Sequence, residues 1–449
     1  MMKKRWIAMI LALALVFALG VNAASAGDDT AEPVAEANAV IAAADADVGT
    51  EEAEETAAPV EPDAEGTLSF GNIASQMMEN NFSMLALQES IDDIESHDYD
   101  WRENDLRDQL NGIANLQWQA MMAPSALSAI PGATPASIAS GTASASVYSQ
   151  QLQTQYNSLR KQFDDLRDGI TQKDDAASVR QYQQMQDLMI MGAETLYIAI
   201  LSMEENDAAL TRKVNALDRS LAALRVTESN GLVSALNVQQ AENGLAQLQS
   251  GQQTLRMTEE TTLLQLKAMV GAELGEPLEL VALPKVTASQ LNAMNVEEDL
   301  ARAMEVSYDL YDAQKQVDDF KRDYYDEVMK HYSETSKAFE VSQVKHGLQA
   351  LKYSNENAKQ SFELKFRTLY AQVNDDAQKL DAAKSALALE EKNYAVSALK
   401  CQQGTISKNA LADAADTLAE AKDTVSSAER DLFTAYRNYY WAVEHGILN

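Results

Sequence analysis

The sequence predicts an all-α protein of two repeated, long antiparallel helical hairpins packed as coiled coils, with little or no β-structure. Three observations predict it. Apolar residues recur in heptads: Leu210, Val214, Leu217, Leu221 and Leu224 step by four and three, and Leu411, Leu418, Val425, Leu432 and Tyr439 step by seven. Val373, Leu380, Leu387 and Tyr394 hold the same seven-residue spacing, which over several heptads makes helices supercoil against neighbours. The chain also repeats itself. Thr195-Leu196-Tyr197 returns as Thr368-Leu369-Tyr370, and Gly231, Ala241 and Leu245 return as Gly404, Ala414 and Leu418, all at a shift of 173. Finally, turn formers are scarce: 18 Gly and 8 Pro in 449 residues, with the prolines bunched at 33–62, 124–135 and 277–284.

Residues 1–26 come first. Lys3, Lys4 and Arg5 precede an apolar run of about 15 residues, and Ala24-Ser25-Ala26 closes it as a small-x-small cleavage site. The segment reads as a secretory signal peptide, so the chain is expected to be exported to the cell envelope. Residues 27–66 carry 13 acidic residues and no Lys or Arg, spaced by Ala and Pro, the composition of a disordered acidic tether. The whole chain carries a net charge of −32; without the signal peptide it is −35, and without the tether −22. The body is acidic in its own right, which fits either solubility or an acidic lumen that favours cations.

Composition also narrows the function. With 68 acidic against 36 basic residues, nothing supplies the clustered cations that nucleic acid requires. One cysteine, Cys401, allows no internal disulfide and no CxxC metal site, and four scattered histidines offer no nucleophile–base pair. No enzyme activity, cofactor or metal is expected.

The body divides into a first helical repeat, 67–283, and a second, 284–449. Each reads as an entry helix, a turn, a helix of about 50 residues (about 75 Å at 1.5 Å per residue), a glycine turn and a return helix of about 35 residues. The entry segments Gln88–Ile94 and Gln314–Phe320 match at a shift of 226, so the first repeat holds 53 extra residues between Ile94 and about residue 178, around the prolines at 124–135. The glycine turns are Glu228–Ser234 and Gln402–Ser407. Glycine ends a helix in the left-handed conformation, and the Ser that follows suits the start of the next.

The stretch from Gly231 to Glu242 resembles the periplasmic tip of outer-membrane efflux proteins, the TolC-like family, and Gly404-Thr405-Ile406-Ser407 with Leu411, Asp413 and Ala414 resembles its second copy. Leu263–Gly271 is similar to that family's close of the first half, Leu68–Phe82 to its entry helix, and Ala435–Gly446 to its terminal helix. The resemblance spans about 67–449. It implies an α-barrel protomer of a homotrimer, a duct for efflux or type I-like secretion. Its tips (Asn230, Gly231, Leu232, Val233, Ser234, and Gly404, Thr405, Ile406, Ser407) would dock on a periplasmic adaptor and an inner-membrane pump of ABC or RND type. By the same resemblance Asn237 and Asp413 stand at the pore constriction, where the family more often has further aspartates; Ala410 occupies one such position.

The membrane portion departs from that pattern. A spanning strand needs about 9–11 alternating residues, and the 31 residues between Phe320 and Lys352 read mostly as charged helix. Residues 123–147 are small and carry no aromatic, which predicts a packed loop rather than lipid-facing strands. The alternative function is therefore a non-channel coiled-coil spacer or docking stalk that lacks a transmembrane barrel. Tyr324-Tyr325 and Tyr439-Tyr440-Trp441 are expected to pack between helices. Met185, Met189 and Met191 are expected on an apolar face rather than at a metal, and Cys401 stands beside the second tip as a free thiol.

Overall fold

A computed structural model describes residues 63–64, 66–330 and 338–448. The signal peptide and all but the last few residues of the acidic tether lie outside them. The described chain is helical almost throughout.

Two short strands, β1 (Thr67–Leu68) and β2 (Glu279–Leu280), pair in parallel with Thr67 opposite Glu279. They fasten the start of the body to the connector between its halves. Tyr197, fully buried, donates its hydroxyl toward the carbonyls of Leu68 (3.0 Å) and Val281. Burial pushes the phenol's pKa well up, so it stays a donor.

Helices α1 (Ile73–Asn80) and α2 (Phe82–Glu95) lead in, separated by Asn81, whose side-chain oxygen caps α2 through Ser83 N at 2.8 Å and Met84 N at 3.1 Å. Next come α3 (Tyr99–Ser128) and α4 (Pro135–Arg167), then α5 (Ile170–Ser229) and α6 (Ala235–Val270). After the connector, α7 (Ala288–Ala293), α8 (Val296–Val306) and α9 (Tyr308–Phe320) run into a π-helical turn (Lys321–Asp326). The chain closes with α10 (Ala338–Gln402) and α11 (Lys408–His445). The long helices exceed the expected lengths, at 60 residues for α5 and 65 for α10, with returns of 36 and 38.

The segment expected as a packed loop at 123–147 is helical on both sides of a short turn. Pro124 lies inside α3, four residues before Ser128 ends it, and gives up the bond to the Ala120 carbonyl, while Pro135 takes the first turn of α4 behind the capping Thr134. α3 and α4 thus form a helical hairpin. Leu106, Leu110, Phe163 and Leu166 bury a small core at its base. His97 Nδ1 and the Tyr99 hydroxyl both meet Asp175 at 3.0 Å and tie that base to α5.

Two larger cores hold the body. One gathers Leu68, Phe70, Ile73, Met77, Ile190, Tyr197 and Leu266 around Phe433 and Trp441 of α11. The other sets Phe362, Phe366, Val373 and Leu380 of α10 against Leu432, Tyr439 and Val443 of α11. Met191 is in the first core and Met189 packs on it, and Tyr439 and Trp441 are buried, all as packing residues; Tyr324 instead is exposed. Trp441 closes on a buried carboxylate. Glu194 accepts from Arg437 Nε at 2.8 Å and Nη2 at 2.6 Å, and from Trp441 Nε1 at 2.7 Å. Arg437 also lies 4.4 Å over the Tyr440 ring. A carboxylate only 3 % exposed is stable here because three donors, two of them on a cation, meet its oxygens.

Glycine sets two close crossings. Gly271 ends α6 at φ +72°, where a Cβ would stand 2.6 Å from the Asn80 carbonyl oxygen. Gly446 ends α11 at φ +65°, where a Cβ would stand 2.3 Å from Ser307 Cα. Asn80 precedes the cap of α2 and Ser307 is the residue before α9, so the return helix of each half seats on the entry turn of that half.

Candidate functional site: the paired helical tips

Each long hairpin turns within five residues. α5 ends at Ser229; Gly231 N donates to Glu228 O at 2.8 Å and Leu232 N to Thr227 O at 3.0 Å. α10 ends at Gln402; Gly404 N donates to Cys401 O at 3.0 Å and Thr405 N to Lys400 O at 2.9 Å. These are the two hydrogen bonds of a Schellman motif, which requires a left-handed residue at the glycine. Gly231 sits at φ +73° and Gly404 at φ +72°. Three residues later Ser234 and Ser407 stand as N-caps in extended backbone. Only Ser407 caps with its side chain, accepting from Ala410 N at 3.1 Å. The two turns are one structure used twice, 173 residues apart.

At both turns the residue after glycine points outward and the next one inward. Leu232 is 77 % exposed and Thr405 is exposed, while Val233 and Ile406 are half-buried. Asn230 is the C-cap of α5. Asn237 is exposed in the first turn of α6. Asp413 is exposed and its carboxylate lies 3.9 Å from Arg219. Cys401 is half-buried in the last turn of α10.

An ion-pair ladder between α5 and α11 sets the height of the tips, and heptad reading of single helices did not reveal it. Glu205 pairs with Arg430, Arg212 with Asp423 and Arg219 with Asp416. Each rung moves seven residues up one helix and seven down the other, so the paired numbers always add to 635. Continuing that register sets Gly231 level with Gly404, whose numbers add to the same value. Ser426 supports the lowest rung by donating to Glu205 at 2.5 Å. The sequence signal was available, since acidic and basic residues sit at heptad spacing in both helices, but it becomes visible only once α5 and α11 are known to be antiparallel neighbours.

Within the first hairpin α5 and α6 are also pinned by charge. Arg225 reaches Glu242 at 2.7 Å across the first hairpin, and Arg256 reaches Asp207 at 2.9 Å. Among the described residues no group of His, Cys, Asp and Glu is arranged to hold a metal ion. What the site offers is an end: two level, solvent-facing turns, with backbone fixed by hydrogen bonds and side chains free to meet another surface.

Among solved structures, the chain is similar to the outer-membrane channel OprN (13 % identity, covering 84 % of this chain and 90 % of that one, TM-score 0.49). It is similar also to the outer membrane protein VceC of Vibrio cholerae (10 % identity, 84 % and 96 % covered, TM-score 0.45) and to the CmeC outer membrane channel of Campylobacter jejuni (13 % identity, 64 % and 69 % covered, TM-score 0.42). No family model matches the chain, and no curated protein matches it.

Proposed function

We propose that this chain is the protomer of a TolC-like envelope duct for efflux or secretion, a ring of three copies whose level tips dock on an adaptor and pump. One observation carries the reading: two matched hairpins lie side by side, and their outer helices keep apolar residues that nothing in the same chain covers. On α6, Leu236, Met257 and Leu264 share one heptad position, with Asn243 and Ser250 between the first two, and are 61, 63 and 40 % exposed. On α10, Leu389, Val396 and Leu399 follow seven-and-three spacing and are 57, 48 and 57 % exposed. A heptad seam without a partner is the signature of a coiled coil completed by another helix. Because one such seam lies on each flank, copies would join head to tail and close a ring by rotation. Such a ring has no chemistry to perform; it encloses water.

A second reading keeps the assembly and removes the channel: a docking stalk that spaces or anchors a transporter. The observation behind it is that the strands of the described residues are two residues long, far short of the roughly nine needed to span as a barrel. Sedimentation of the purified protein, followed by conductance in a planar bilayer, separates the two. A trimer that conducts supports the duct, a trimer that never conducts supports the stalk, and a monomer under all conditions sinks both. Photo-crosslinkers at Leu232 and Thr405 should capture an adaptor; crosslinks arising only from the opposite end of the helices would remove the tip assignment.

A further inference from the structure

We propose that the far end of the α3–α4 hairpin is a lipid-contacting element, which enters the headgroup and upper hydrocarbon region of a bilayer as a pair of helices. The inference goes beyond the duct reading and holds for a stalk as well. It begins from charge. The protein is 23 % charged, yet from Gln109 to Leu159 there is no Asp, Glu, Lys, Arg or His. The charges resume at once on either side, at Asp108 and Arg160. A solvent-exposed hairpin in water has no need to exclude charge over its whole end; a hairpin that leaves water does, because an ionised side chain in hydrocarbon is costly.

The second observation is what faces outward. The inner seam of the hairpin is closed by its own two helices, with Leu110, Ala120 and Leu152 buried. Outside it, Trp118, Met121 and Met122 follow i, i+3, i+4 spacing on one flank of α3, at 61, 70 and 45 % exposure. Ile130 in the turn and Tyr148 on α4 are 54 and 47 % exposed. Large apolar and aromatic groups left open on an uncharged surface mark a site of contact with something apolar.

The third is how the polar groups are handled. Several of the hydroxyls donate to the preceding turn: Ser125 to Met122 O at 2.7 Å, Ser128 to Ser125 O at 2.8 Å and Thr154 to Gln150 O at 3.1 Å. Gln117 donates across the hairpin to Gln153 at 3.1 Å, and Gln153 to Asn157 at 2.8 Å. Helices satisfy their own backbone, so these bonds leave less to be hydrated when water is withdrawn. Small residues let the helices close tightly; a Cβ on Gly141 would stand 2.5 Å from Leu127 Cδ1.

Gln109–Ser128 is 20 residues of helix, about 30 Å, so the charge-free end reaches past a headgroup layer without crossing the core. No helix of the described residues is long and apolar enough to cross a membrane. Asn115 and Gln119, on the neighbouring flank of α3, are exposed and polar. The element is therefore amphipathic, entering lipid by one flank. A body of charge −22 is repelled by anionic headgroups, so the contact should not depend on anionic lipid.

Tryptophan fluorescence tests this on the full-length chain carrying Trp6→Phe and Trp101→Phe, which leaves Trp118 and the buried Trp441. With phosphatidylcholine vesicles brominated on the acyl chains, the Trp118 share of the emission, defined against a further Trp118→Phe variant, should be largely lost. With unbrominated vesicles it should shift to the blue and become shielded from aqueous iodide. Met121→Glu/Met122→Glu, on an exposed flank, should keep the wild-type helical melt and abolish both effects. Emission unchanged by brominated vesicles would overturn the proposal. So would a blue shift that appears without lipid, which would assign the flank to a second copy of the hairpin. Lipid quenching in a protein that never conducts would support this inference and count against the duct, so the two fail separately.

Discussion

At the scale of single residues, the left-handed glycines divide into two kinds, and the division is measurable. Gly231 and Gly404 have nothing within 4 Å of a built Cβ, so alanine there meets only the backbone cost of the left-handed region, about 1–2 kcal/mol. Gly271 and Gly446 face backbone atoms of Asn80 and Ser307 under 3.0 Å away, so alanine must also push two chain segments apart. Thermal melts of the four alanine variants should show small shifts for the tip glycines and clearly larger ones for Gly271 and Gly446. Equal shifts at all four would mean that the crossings are looser than described. The small cost at the tips makes Gly231→Ala and Gly404→Ala clean probes of docking. The tip glycines were legible in the sequence, through their shift of 173 and the serine that follows each. The Glu194–Arg437–Trp441 cluster was not: its members lie 243 and 247 positions apart, and nothing local marks a carboxylate that will be buried.

At the scale of elements, the ladder between α5 and α11 predicts a coupling rather than a large loss. Its members are partly exposed, so each rung contributes on the order of 0.2–1 kcal/mol. Arg212→Asp should lower the melting temperature, Asp423→Arg should do the same, and the double swap should recover most of the loss; a double variant as unstable as the sum of the two would deny the pairing. Heptads were legible because Val373, Leu380 and Leu432 carry their burial in their spacing. The α3–α4 hairpin was not, because Ala, Ser and Thr between prolines give no apolar period to follow, and because a proline such as Pro135 is compatible with the first turn of a helix. Its partner is simply its own return, which composition does not announce. The π-helical turn after α9 had no sequence sign either; Phe320 and Tyr324 stack at 5.2 Å across it.

At the scale of the molecule, acidity predicts how stability follows pH. Glu204 has its pKa raised by partial desolvation and then by Glu259 and Glu205; Glu259 is raised by partial desolvation and then by Asp207; Asp431 is raised by partial desolvation. A carboxyl raised in the folded state binds protons there that the unfolded chain has already released, so stability falls as pH climbs through that range. Asp207 and Asp323 run the other way, lowered by hydrogen bonds from Arg256 and Arg322, and their contribution is lost only below the ordinary carboxylate range. With self-repulsion easing as well, the melting temperature should rise from pH 7.5 to about pH 5, just above the carboxylate range, and fall again towards pH 3. A monotonic fall from pH 7.5 downward would show that ion pairs outweigh the raised carboxyls.

The rungs of the ladder do not all point the same way: the lowest places its acid on α5, and the upper two place theirs on α11. Sliding α11 by one heptad, about 10.5 Å, would bring Arg212 against Arg430 in one direction and Glu205 against Asp423 in the other. An apolar seam alone repeats every seven residues and would accept either slip. The rungs therefore favour one alignment of the two neighbouring rods, and a partner that gripped both ends would meet them at the same height.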